Sequence, residues 1–165
     1  MSIELIVLDV DGTLTDGTIT YSSSGDDIKS FNVKDGLGID GWVNMGKDVA
    51  IITGRRSAVI ARRAQELKIK YFFEGVKNKN EVLLKLMDDL SLAKEQVATI
   101  GDDLNDLSMF AVSGLTFAPN DACYHIQQKV DVVLNAKGGH GAVREMIEYI
   151  IKKDNVEEQF LKLWQ

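Results

Sequence analysis

The chain has 165 residues, 45% of them hydrophobic and 27% charged, which suits a single soluble domain with a buried core. Its net charge of −6 argues against a nucleic-acid partner or an anionic membrane surface, and no apolar run approaches the ~20 residues that span a bilayer. The lone cysteine, Cys123, can form no internal disulfide, and residues 1–9 carry no basic segment before the first acid, so the expected setting is the reducing cytoplasm.

Residues 3–10 form a nearly unbroken apolar run that reaches Asp9. Strands of a parallel sheet look like this because both of their faces are covered. Residues 18–21 and 28–33 are short β-like runs around a Ser-, Gly- and Asp-rich stretch, which predicts a hairpin over 18–33 projecting from the end of the first strand. The parallel-strand pattern returns at 49–52, 97–100 and 130–134, and more weakly at 70–73. Between these runs, residues 57–67, 81–90, 104–112 and 142–151 place apolar side chains at helical spacing. Strands alternating with helices predict an α/β fold: a Rossmann-like, doubly wound parallel sheet with helices on both faces, in one domain over 1–165. The last segment, 154–165, offers Phe160, Leu161 and Trp164 as apolar anchors, to pack on its own domain or on a neighbouring subunit. Trp42 and Trp164 read as core or interface anchors, and His140 as exposed.

Chemistry concentrates where the predicted strands end. Asp9-Val10-Asp11-Gly12-Thr13 closes the first strand, and Gly101-Asp102-Asp103-Leu104-Asn105-Asp106 follows another. Ligands of open parallel sheets bind beyond the carboxyl ends of their strands. An isolated Asp-x-Asp is usually a solvated turn, and Asp102 or Asp103 could simply cap the next helix. Capping does not explain a matching acidic pair on a second strand, however, and clustered carboxylates repel one another unless a cation sits among them. Two acidic strand ends together supply the hard oxygen ligands that Mg²⁺ prefers. Thr53-Gly54-Arg55 adds a hydroxyl and a cation after a third strand, and Lys79 opens a helical stretch. Taken singly, Thr53 would be a helix cap and Lys79 a solvated lysine; jointly with the acids they suit a metal-bound phosphate.

In this order, the four motifs resemble those of the haloacid dehalogenase-like hydrolases across almost the whole chain. The resemblance implies a phosphatase with Asp9 as nucleophile and Asp11 as acid and base. It implies Thr53 and Lys79 as phosphate-binding groups, with Gly12 and Gly54 alongside. Mg²⁺ would be held by Asp9, Asp102 and the Asp11 backbone carbonyl, with Asp103 and Asp106 supporting from outside. Dehalogenases of the family lack the second acid, so dehalogenation is not expected.

The gaps from Asp11 to Thr53 and from Lys79 to Asp102 hold only a hairpin, helices and strands, which leaves no room for a lid domain. The capless members that the chain most resembles act on a phosphorylated eight-carbon 3-deoxy keto sugar acid and are homotetramers. A related group that takes a nine-carbon acid is the near alternative, and relatives of this size close their sites with neighbouring subunits. That likeness rests on Leu14-Thr15-Asp16-Gly17, Phe31-Asn32-Val33-Lys34-Asp35-Gly36 and Gly138-Gly139-His140-Gly141-Ala142-Val143-Arg144-Glu145. It implies a sugar pocket of Asn32, Lys34, Asp35, Gly36, Arg55, Arg63 and Lys79. Lys34 stands where the family commonly has Arg, which keeps the charge and loses the bidentate fork. Asp40 stands where some members carry Arg, removing a possible carboxylate partner.

Two other classes compete. A signalling receiver domain shares the sheet, acids, Thr and Lys, but its phosphate acceptor lies on a later strand than its first acidic pair. A non-catalytic oligomerisation module would not need the complete motif set.

Overall fold

A computed structural model describes residues 1–165. The first apolar run forms β1 (Leu5–Leu8), and the projecting hairpin pairs β2 (Thr20–Tyr21) with β3 (Asp27–Ile28). There follow α1 (Val33–Asn44), β4 (Asp48–Ile52), α2 (Ala58–Glu66), β5 (Tyr71–Phe73), α3 (Lys79–Asp89) and β6 (Val97–Ile100). A 3-10 turn, Leu104–Asp106, leads into α4 (Leu107–Phe110), β7 (Leu115–Ala118), α5 (Tyr124–Gln127), β8 (Val132–Val133), α6 (Ala142–Lys153) and α7 (Glu157–Lys162).

Six strands pair in parallel in the order β5-β4-β1-β6-β7-β8, which puts β1 between β4 and β6. Alternate strand residues feed two cores. Ile6, Leu8, Val49, Ile51, Ala98 and Ile100 pack with α1 and α6, whereas Leu5, Val7, Ala50, Ile52 and Val97 pack with α3 and α4. Both faces are therefore covered, which is why the strands read as continuous apolar runs. Chain direction reverses about β1, so the rim beyond β4, β1 and β6 is the switch point where such sheets bind ligands. No segment between these elements forms a lid.

Several boundaries differ from the sequence reading. Residues 28–33 do not form a long strand: Asn32 accepts a 2.9 Å hydrogen bond from Lys34 N, and this cap starts α1 at Val33. Residues 104–112 form a short turn and a four-residue helix, not one helix, and 130–134 contributes only two strand residues at the sheet edge. Strand β7 escaped the sequence reading altogether, because a four-residue Leu-Thr-Phe-Ala run has no period to detect. The C-terminal segment packs on its own domain through Phe160, 3% exposed and lying against Gly41 of α1, with the half-exposed Trp164 ring edge-on to it. Trp42 is fully buried and donates from its indole N–H to the Asp48 carbonyl at 3.0 Å. His140 is exposed.

Candidate active site

Asp9 lies one residue beyond β1, and its backbone N–H still donates to the Ile100 carbonyl of β6 at 3.1 Å. Asp102 lies two residues beyond β6. Register alone thus brings two carboxylates from adjacent strands to one rim. Asp106 returns to them from the turn that follows. Carboxylate oxygens of Asp9, Asp102 and Asp106 lie within 4.8 Å of one another. Lys79, the first residue of α3, is 1% exposed and donates at 2.6 Å both to Asp9 Oδ1 and to Asp106 Oδ1. The other Asp106 oxygen accepts from the backbone N–H groups of Asp102 and Asp103, at 2.9 and 3.2 Å.

Three acids and one lysine leave excess negative charge in a poorly hydrated place. Burial, then the Asp106 carboxylate, pushes the Asp9 carboxyl up to about 7. Burial, then Asp9 and Asp106, pushes Asp102 up to about 8. Burial opposes the Lys79 charge, but Asp9 and Asp106 outweigh it and raise its pKa. Carboxylates that one lysine cannot neutralise fit a divalent cation, and oxygen donors of this kind suit Mg²⁺. Gly12 supports the same fit: at φ +91° a side-chain carbon would run into the Asp102 carboxylate, so only glycine leaves that carboxylate its place.

Asp11 occupies a different position. Its carboxylate does not join the trio; Oδ1 accepts from Lys29 Nζ at 2.5 Å, and Oδ2 faces Arg55 Nε at 3.8 Å. A cleft of about 270 Å³ is lined by Asp9, Asp11, Gly17, Thr53, Gly54, Arg55, Asp102, Asp103 and Asn105. Thr53 is not a helix cap, because Ser57 caps α2 by accepting from Ile60 N at 3.4 Å. Lys79 is not a solvated lysine, since it is locked between two acids. Asp103 is exposed and caps the turn after it, accepting from Leu104 N at 2.7 Å. The inner acid of that cluster is therefore Asp106, whose two oxygens are taken up by Lys79 and by the Asp102 and Asp103 backbone.

The expected sugar pocket divides. Arg55 lines the acidic cleft. Arg63 lines a neighbouring cleft of about 420 Å³ with Lys29, Phe31, Val33, Val59, Arg62 and Glu66. Asn32 is spent on its helix cap, and Lys34 is exposed beside it. Gly36 gives room to the Arg63 guanidinium, 2.5 Å from where a side-chain carbon would stand. Asp35 is 1% exposed and accepts from Arg144 N at 2.8 Å, so it caps α6 from α1. Helix α6 begins at Gly141 without a side-chain cap of its own, which is why a distant acid fills that place.

Two features were missed in the sequence. Lys29 belongs to the site, although its only sequence signal was its place at the exit of the hairpin. The glycines of Gly138-Gly139 do more than turn the chain. A side-chain carbon on Gly138 would strike the Gly12 carbonyl, and Gly139 N donates to the Thr13 carbonyl at 3.0 Å. This segment braces the loop that carries Asp11.

A doubly wound sheet with acids at the ends of its two central strands, a buried lysine that joins Asp9 to Asp106 and no lid defines a capless hydrolase of phosphate-handling type. Residues 72–147 match the haloacid dehalogenase-like hydrolase family. The chain belongs to that family. It is 42% identical, over 96% of its length and 88% of the relative's, to the 3-deoxy-D-manno-octulosonate 8-phosphate phosphatase of Haemophilus influenzae. The solved phosphatase of that name from Moraxella catarrhalis, a complex with magnesium, phosphate and KDO, superposes with a TM-score of 0.94 at 39% identity, covering 99% of this chain and 94% of that one. The cobalt-bound Haemophilus influenzae enzyme superposes with a TM-score of 0.88 at 43% identity, covering 92% and 88%.

Proposed function

We propose that this chain hydrolyses 3-deoxy-D-manno-octulosonate 8-phosphate to 3-deoxy-D-manno-octulosonate and phosphate, with Mg²⁺ as cofactor. The observation that carries the reading is the buried Asp9–Lys79–Asp106 arrangement with Asp102 beside it, in a chain 42% identical to a phosphatase of that substrate. The near alternative is a nine-carbon 3-deoxy keto acid 9-phosphate, kept because Lys34 and Asp40 stand where other members carry Arg and so leave the exact sugar acid open.

Asp9 is the nucleophile. Its carboxylate attacks phosphorus, the bond to the sugar oxygen breaks, and an aspartyl-phosphate forms. Asp11 gives its proton to the departing alkoxide and then takes one from the water that cleaves the aspartyl-phosphate. Its position supports this split of labour: it lines the same cleft but stands off the acidic trio. Lys79 and Thr53, with backbone N–H groups near Gly12 and Gly54, hold phosphate oxygens. Asp9, Asp102 and the Asp11 carbonyl would hold Mg²⁺, with Asp106 supporting. When bound, the ion neutralises charge between the anionic ester and the anionic nucleophile.

Residues 1–165 act as one phosphatase domain. No helix is long and apolar enough to cross a membrane, and the single cysteine and acidic balance support a cytoplasmic enzyme without nucleic-acid or membrane partners. The open cleft, the projecting hairpin and the half-exposed Leu161 and Trp164 support a homo-oligomer, a tetramer by family likeness. The test is turnover of the eight- and nine-carbon phosphates with Mg²⁺ and with EDTA, beside Asp9→Asn, and sedimentation of the active species. Activity that survives exhaustive chelation, or a folded Asp9→Asn protein of wild-type rate, overturns the mechanism. A higher kcat/KM on the nine-carbon ester moves the substrate, and a strictly monomeric active enzyme removes the tetramer.

A further inference from the structure

Lys29 lies one residue past β3, and its side chain is 1% exposed. The acids its ammonium faces are Asp11 Oδ1 at 2.5 Å and Asp27 Oδ2 at 3.8 Å. Asp27 is itself anchored, accepting from Ser57 Oγ at 2.7 Å. Ser57 caps α2 and donates from its backbone to Glu74 Oε2 at 3.2 Å. A chain of polar contacts thus runs from the start of α2 through the hairpin to one oxygen of Asp11. The other oxygen faces Arg55, whose guanidinium donates to the Tyr21 hydroxyl at 3.2 Å on the same hairpin. The Asp11 carboxylate is therefore flanked by Lys29 of the hairpin on one side and, on the other, by Arg55 from the loop after β4, which the hairpin's Tyr21 steadies.

Burying an ammonium is a poor way to stabilise a fold, since an apolar side chain of similar length serves as well or better. What a buried charge pair supplies is direction. Proton transfer needs the carboxylate within hydrogen-bond reach of the leaving oxygen, and a misplacement of ~1 Å costs about 10²-fold. Arg55 alone is too loose a guide, because its side chain is 45% exposed. We propose that Lys29 is a positioning residue that aims the Asp11 carboxylate at the leaving-group oxygen, touching neither phosphate nor metal. The inference rests on the acid–base role of Asp11 stated above.

Lys29→Met keeps the stem and removes the charge. On 3-deoxy-D-manno-octulosonate 8-phosphate it should lower kcat by about 10²-fold, with KM moved less than about threefold. Phosphorylation by p-nitrophenyl phosphate, whose phenolate leaves without a proton, should stay near the wild-type rate in a rapid-mixing burst. Placed on Asp11→Asn, the substitution should add no further loss. A raised KM at unchanged kcat would make Lys29 a substrate ligand and overturn the proposal. Equal losses on both substrates, or additive losses in the double variant, would also overturn it. If Lys29→Met does not fold, Lys29→Gln carries the same comparisons. The wild type and Asp11→Asn, assayed alone, report on the underlying reading: an Asp11→Asn enzyme that treats both leaving groups alike removes that reading, whereas the Lys29 variants judge this inference only.

Discussion

Lys79 donates a 2.6 Å hydrogen bond to Asp106, and the two side chains are 1% and 0% exposed. Through its other oxygen Asp106 also holds the Asp102 backbone at 2.9 Å. One carboxylate thereby sets both the lysine beside the nucleophile and the loop that carries the second acid. Asp106→Ala should lower Mg²⁺ affinity or kcat/KM by about 10–100-fold, the usual effect of losing a group that orients metal ligands. Mg²⁺ titration and steady-state kinetics check this; a folded variant with both values intact would reduce Asp106 to packing.

Mg²⁺ binding should strengthen with pH. Asp9 and Asp102 stand at about 7 and about 8, above the ordinary 3.8, with burial as the first cause of each. Without metal, the folded protein keeps protons that the unfolded chain releases. That contribution to stability is complete below the ordinary value and is lost as pH rises through about 7 to 8. A cation that needs both carboxylates ionised displaces those protons. The difference in Tm between Mg²⁺ and EDTA should therefore widen from acid to mildly alkaline pH, with protons released on binding. A Tm difference that does not change with pH would show that these acids are not the ligands.

Gly138→Ala tests the brace under the catalytic loop. The new methyl would meet the Gly12 carbonyl, with the Thr15 carbonyl 3.0 Å away. Backbone atoms cannot step aside cheaply, so a loss of about 1–3 kcal/mol is expected, as for other overpacked sites. Activity should fall further than stability explains, because the displaced loop carries Asp11. Urea denaturation alongside kinetics separates the two; unchanged kcat in a destabilised protein would confine Gly138 to folding.

Asp11→Asn should leave Mg²⁺ binding nearly intact, since its side chain contacts Lys29 and Arg55 and not the acidic trio. Turnover should nevertheless fall by about 10²–10⁴-fold, the range for a lost acid–base group. The loss should be deepest for sugar alkoxides, and phosphoenzyme should accumulate with p-nitrophenyl phosphate. Burst kinetics and calorimetric Mg²⁺ titration decide it. Lost metal binding with equal rate losses on both substrates would make Asp11 a side-chain ligand instead.

The sequence by itself determined the parallel sheet, the face-covering helices and the strand ends that carry Asp9, Thr53 and Asp102. Those features are local: an apolar run fixes a strand, its last residue fixes where the rim begins, and pairing with neighbours of similar length aligns the rims. Tertiary structure alone decided which acid joins the trio, that Asp35 caps α6, that Gly138 props the loop after β1 and that Lys29 grips Asp11. The Lys79–Asp9 and Asp35–Arg144 contacts join residues 70 and 109 positions apart, and Lys29 reaches Asp11 only because the hairpin folds back over the rim. No period along the chain encodes such pairings, since a polar side chain can satisfy itself equally well with any nearby donor, and packing selects which donor is near.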